Sequence, residues 1–184
     1  MEKICCFIGH RKIDNLDKVE TKTKEIVLDL ILNKNVKIFL FGSNSEFDDL
    51  CLKILSQLKE KFIDLKRIGY TCKSEGIVLQ SEKEKFEKLY LKIFKSETEL
   101  FCVDEEFEYK TKYTAGKASY IERNQAMIND SDYCVFYYDK NYKPKMRKHS
   151  KKDIFVYQPK SGTKIAYDYA IKKKKQIINV FEFI

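Results

Sequence analysis

The sequence predicts an α/β fold, a three-layer sandwich in which a mostly parallel sheet carries helices on both faces. Three observations lead there. The short apolar run Ile4–Ile8 and the segment Val36–Phe41, apolar but for Lys37, each lead into a glycine, as strands buried on both faces do. Segments of helical length separate such runs, so strand and helix alternate to the end of the chain. Polar turns follow the strand candidates at Gly9-His10-Arg11, at Gly42-Ser43-Asn44-Ser45, after Tyr138 and at Ser161-Gly162-Thr163. In a parallel sheet these turns share one edge, where ligands bind.

Taken in order, Ile4–Ile8 is the first strand. Asp17–Leu32 has helical length, with apolar residues at Val19, Ile26, Val27, Leu30 and Ile31. Val36–Phe41 is the second strand. The clearest helix follows, because Phe47, Leu50, Cys51, Ile54, Leu55 and Leu58 recur at intervals of three and four, which lines one face. Leu65–Cys72 reads as a third strand, edge-like because of Lys66 and Arg67. Ser81–Lys95 reads as a charged amphipathic helix and Leu100–Val103 as a strand. Asp104–Thr114 has no clear period and reads as a loop. Tyr120–Asn129 is helical, Tyr133–Tyr138 a strand, Lys164–Lys174 a helix and Gln176–Val180 the last strand.

Length and composition bound the rest. The 184 residues suit one domain spanning 1–184, and 43% hydrophobic residues can fill its core. The segment at about 139–158 reads as a basic loop or lid. A formal charge of +8 admits a polyanionic partner, although the lysines are spread along the chain. Six cysteines show no Cys-x-x-Cys and no histidine at ligand spacing. No metal site, disulfide framework or cofactor is therefore expected, and a reducing cytoplasm suits them. No run approaches the roughly 18 apolar residues of a membrane span, so no membrane association is expected.

The turns supply the candidate ligand-binding residues. Ser161-Gly162-Thr163 opens a helix, where unpaired backbone N–H groups and the positive dipole end suit phosphate. At Gly9-His10-Arg11, glycine lets the backbone approach a ligand and Arg11 offers a fork of donors. His10 lacks a carboxylate partner in the sequence and is a poor catalytic base. Gly42-Ser43-Asn44 is small and polar, as a phosphate or ribose contact requires. Ser45 and Asp48 beside it read as a helix cap and its N3 partner. Arg123-Asn124 lies on the helix before the Tyr133 strand, from which the arginine head can reach the sheet edge. No P-loop and no Gly-x-Gly-x-x-Gly motif is present, which disfavours an ordinary NTPase or a nicotinamide dehydrogenase.

As an ordered set, these residues resemble the SLOG superfamily. The segment from Tyr120 through Arg123-Asn124, Met127 and Ser131-Asp132, followed by Pro159-Lys160-Ser161-Gly162-Thr163, is similar to the M-x-x-R-K…S-D-A…P-G-G-x-G-T-x-x-E pattern of the Lonely Guy phosphoribohydrolases. Phe7-Ile8-Gly9-His10-Arg11 and Gly162–Val180 look closer to the small YpsA/YoqJ-like bacterial proteins. The resemblance implies a Rossmann-like fold that binds nucleotides or nucleotide-derived ligands, and a homodimer or higher homo-oligomer. In Lonely Guy enzymes the arginine and the glutamate of this pattern cleave an N-glycosidic bond. Arg123 matches the arginine and would be catalytic only in an enzyme. The following lysine is Asn124 here, and Ala166 occupies the glutamate position. Glycosidic hydrolysis needs a carboxylate. Asp168, two residues along the helix, is turned away from position 166, while Glu122, Asp132 and Asp139 remain open as alternatives.

Three functions follow as expectations. The first is binding of a nucleotide or nucleotide-derived ligand, ADP-ribose-like or cyclic-nucleotide-like, as sensor or sink. The second is a nucleoside-monophosphate N-glycosidase. The third, not favoured, is nucleic-acid binding in the manner of the DprA core, through the basic residues between Lys143 and Lys152.

Overall fold

The computed structural model describes residues 2–42, 45–72, 103–112, 117–148 and 156–184. They form a six-stranded parallel sheet, ordered β4-β3-β2-β1-β5-β6. Its strands are β1 (Lys3–Gly9), β2 (Val36–Phe41), β3 (Lys66–Cys72), β4 (Glu105–Tyr109), β5 (Tyr133–Tyr137) and β6 (Gln176–Asn179). Four helices are described: α1 (Leu16–Lys34), α2 (Glu46–Lys59), α3 (Lys117–Asp130) and α4 (Gly162–Lys172), with a closing 3-10 turn at Val180–Phe183. This is the expected α/β, Rossmann-like sandwich.

Side-chain alternation along the strands builds two cores. Cys5, Phe7, Phe39, Phe41, Val135 and Tyr137 point to the face covered by α1 and α2, through Val27, Leu30, Phe47, Ile54 and Leu55. Their neighbours Cys6, Ile8, Leu40, Cys134 and Phe136 point to the other face, covered by Ala126 and Met127 of α3 and by Ala166 and Ala170 of α4. The period of two in each strand thus fills both layers. Cys5, Cys6, Cys51 and Cys134 are free cysteines with buried thiols and Cys72 is buried too, and burial pushes the thiols of Cys5 and Cys51 up. They behave as small core hydrophobes.

Two sequence expectations need correction. Glu105–Tyr109, read as loop, is strand β4, and Val103 of the expected Leu100–Val103 strand lies outside any strand. The polar Glu105-Glu106-Phe107-Glu108-Tyr109 hides a strand because β4 ends the described sheet, where only one side is paired. Its Phe107 ring packs on Tyr70 at 4.9 Å. Conversely, β3 is interior, not edge-like. Its Arg67 is neutralised locally, donating from Nε and Nη2 to Asp104 at 3.1 and 2.9 Å and from Nη1 to the Ser56 hydroxyl at 2.7 Å. These bonds hold the Asp104 carboxyl well below the usual carboxylate range despite its partial burial. The expected helix Ser81–Lys95 lies outside the described residues.

The sheet grows from β1 outward through β2, β3 and β4, then returns to place β5 on the other side of β1. The strand order therefore reverses between β1 and β5. Just beyond the carboxyl ends of those two strands, diverging connections leave a crevice.

Candidate functional site

A cavity of about 630 Å³ occupies that crevice, a volume in the range of small-molecule sites. Gly9, His10, Arg11, Gly42, Arg123, Asn124, Ser161, Gly162 and Thr163 all line it, so every described candidate from the sequence converges there. Ser43 and Asn44 lie outside the described residues.

Its floor is built where α4 begins. Ser161 is the N-cap, with its hydroxyl accepting from the Lys164 backbone N–H at 3.0 Å. The helix therefore starts at Gly162, two residues earlier than its periodicity suggests. The Thr163 hydroxyl donates to the Gly9 carbonyl at 2.9 Å, which pins the amino end of α4 over the carboxyl end of β1. That end carries the positive pole of the helix dipole and N–H groups without intrahelical partners.

The three glycines of the wall serve three different purposes. A β-carbon at Gly9 would lie within 2.6 Å of the Phe47 ring. Gly9 thus makes room for α2, a packing role that the sequence reading did not name. A β-carbon at Gly42 would come 2.8 Å from Arg123 Nη2, so Gly42 admits the guanidinium. At Gly162 a β-carbon would meet no atom within 4 Å. No neighbouring group demands glycine there, and the space in front of it is cavity.

Arg123 enters from α3 and is only 4% exposed. Its guanidinium donates from Nη2 and Nε to Asn124 Oδ1 at 3.0 and 3.3 Å and lies 5.5 Å from the Tyr120 ring centroid. Asn124 and Tyr120 thus orient it toward the ends of β1 and β2.

His10 is fixed as a neutral imidazole. The Asp139 backbone N–H donates to Nε2 at 3.1 Å, which places the ring proton on Nδ1. Burial lowers its pKa, opposed by the Asp139 neighbourhood. Tyr142 covers the ring at 4.3 Å between centroids. Its Nε2 lone pair is therefore engaged, and His10 is a wall rather than a base.

Asp48 is the residue that sequence reasoning undervalued. Ser45 caps α2 as expected, accepting from the Asp48 backbone N–H at 3.0 Å. The carboxylate accepts from the Ser45 hydroxyl at 2.7 Å through Oδ2, while Oδ1 is buried without a hydrogen-bond partner. Burial pushes the carboxyl up to about 6, against the pull of Ser45, Arg123 and the Gly42 backbone. Asp48 is the one acidic residue lining the cavity among those described. The carboxylates left open by the sequence do not line it. Asp132 Oδ2 accepts from the Ile4 N–H at the opposite edge of the sheet. Glu122 accepts from the Lys112 N–H, and Asp139 accepts from the Asn141 N–H. Ala166 is buried in the core, and Asp168 pairs with Lys164 at 3.4 Å. A capping pattern accounts for an Asp at N3 without recourse to a ligand, which is why its place in the cavity was not legible.

The roof comes from the basic segment after β5. Lys145 and Arg147 line the cavity with Lys117 and Lys160. Arg147 is held by a two-bond backbone bridge to Tyr157, and Gln158 Nε2 donates to the Pro144 carbonyl at 2.6 Å. Lys117 Nζ donates to the Lys160 carbonyl. Burial first and the Arg147 charge second lower the Lys117 pKa.

Comparison with known proteins adds no family to this geometry: no protein-family model matches the chain, and no curated protein matches it either. Among the described residues no helix is long and apolar enough to cross a membrane, and no group of three or more His, Cys, Asp or Glu side chains could hold a metal ion.

Proposed function

We propose that the protein binds a nucleotide or nucleotide-derived ligand, of ADP-ribose-like or cyclic-nucleotide-like type, and acts as a sensor or sink for it. The observation that carries this reading is the amino end of α4. Thr163 pins it onto Gly9, Gly162 faces open cavity, and buried Arg123 stands at the same crevice. Backbone donors, a helix dipole and a guanidinium converging at a strand-order reversal suit a phosphorylated ligand. Tyr120 and Tyr142 on the walls supply aromatic faces for a base. Isothermal calorimetry against AMP, cyclic AMP, ADP and ADP-ribose tests it. Binding of at least one of them, lost in Arg123→Ala, is expected. A folded protein that binds none would overturn the proposal.

Asp48 favours a second reading, cleavage of the ligand's N-glycosidic bond. A buried carboxyl titrating near pH 6 suits general acid–base chemistry. It stands in the cavity, whereas Ala166 can supply no carboxylate. Release of free base from nucleoside monophosphates, abolished in Asp48→Asn, would support it. No release at high protein concentration would exclude it.

A further inference from the structure

The cations of this cavity fall into two groups at different depths. Arg123, the inner cation, is buried like Thr163, and both stand with the α4 turn at the base. Lys117, Lys145, Arg147 and Lys160 are exposed and line the mouth. Among the described residues none of these four forms an ion pair. They do not hang loosely either. Lys117 is tethered to the Lys160 carbonyl, and Arg147 is set by its bridge to Tyr157. Gln158 braces the same segment through Pro144. The fold therefore holds like charges at one mouth where no described acid lines the wall, and burial first, with the Arg147 charge second, lowers the Lys117 pKa. With Arg11, six cations face one carboxylate, Asp48. One phosphate monoester, at about −2, occupies the base and leaves the mouth uncompensated.

We propose that the ligand of this site carries two phosphate groups, one held at the base by the α4 turn and Arg123 and the other at the mouth by Lys117 and Arg147. The proposal rests on the nucleotide-binding reading above and narrows it. A 3′,5′-cyclic mononucleotide or a nucleoside monophosphate fills only the inner position. A nucleoside diphosphate, a bisphosphorylated nucleoside or a dinucleotide-like diphosphate fills both. The mouth position adds charge-assisted donors, so its occupation changes affinity and salt dependence together.

Titration calorimetry at two salt concentrations tests this, using AMP, cyclic AMP, ADP, adenosine 3′,5′-bisphosphate and ADP-ribose. At least one two-phosphate ligand is expected to bind about tenfold or more tightly than AMP and cyclic AMP. The double substitution Lys117→Gln/Arg147→Gln is expected to erase that advantage, with the fold checked by circular dichroism. If AMP or cyclic AMP binds as tightly as every two-phosphate ligand, the two-phosphate proposal fails while nucleotide binding stands. If no nucleotide binds at all, the underlying reading falls and takes this one with it. If a single-stranded oligonucleotide outcompetes every mononucleotide, with an affinity that collapses in salt, the mouth is a nucleic-acid surface and the proposal is overturned.

Discussion

Gly42 and Arg123 are fitted to each other: a β-carbon at residue 42 would stand 2.8 Å from Arg123 Nη2. The missing side chain just past the end of β2 is the space that the α3 guanidinium occupies. The two residues are 81 positions apart in the sequence, and the parallel sheet brings them to one crevice.

Gly42→Ala is therefore expected to move the arginine rather than break the fold. The clash is with the far end of a flexible side chain, so the stability loss should stay near or below about 1 kcal/mol. Ligand affinity should fall as it does in Arg123→Ala. Urea denaturation alongside calorimetry checks both halves, and unchanged affinity would show that the position of the guanidinium is unimportant.

Gly9→Ala should behave in the opposite way. Its β-carbon would run into Phe47 close to the α2 backbone, where nothing can swing aside. Phe47 is itself fully buried among Phe7 and Tyr137. A loss of about 2–3 kcal/mol or more is expected, read as a lower urea midpoint. A neutral outcome would mean that α2 can slide away from the sheet.

Gly162→Ala separates function from folding. No atom lies within 4 Å of the added methyl, and alanine in the first turn of a helix gains up to about 1 kcal/mol over glycine. Stability should hold or rise, whereas ligand binding should weaken because the methyl enters the space in front of the helix end. If binding is untouched, the ligand does not approach the α4 turn.

Asp48 sets the expected pH dependence. Burial raises its carboxyl from 3.8 to about 6 in the folded protein. The folded state thus holds this proton more tightly than the unfolded chain, so stability is greatest below about pH 4 and declines as pH rises toward 6. Asp48→Asn should remove that decline. The variant is expected to be more stable than the parent at pH 7.5, by up to about 3 kcal/mol, with the gap closing at pH 4. Thermal unfolding at both values checks it, and a gap that ignores pH would place the cost elsewhere.

The elements that bury both faces are the most legible. Val36–Phe41 shows its observed bounds in the sequence, because five apolar residues of six, interrupted only by Lys37 and stopped by a glycine, suit a strand covered on both sides. Strand β4 does not, since a strand at the end of the sheet needs apolar residues on little more than one side. Lys66 and Arg67 mislead in the other direction, because a charge on an interior strand is tolerable only with a partner such as Asp104, and that partner sits 37 residues away.

By itself the sequence determined the local chemistry: the alternation of strand and helix, the capping serine at 45, and the small polar turns that converge on the cavity. These depend on neighbours within a few positions, so one-dimensional patterns carry them. Only the tertiary structure decided what each turn is for. It assigned Gly9 to Phe47, Gly42 to Arg123 and Gly162 to open space, engaged the His10 lone pair at Asp139, and brought Asp48 into a cavity of cations. Packing, burial and charge depend on distance in space, and chain spacing does not encode that distance.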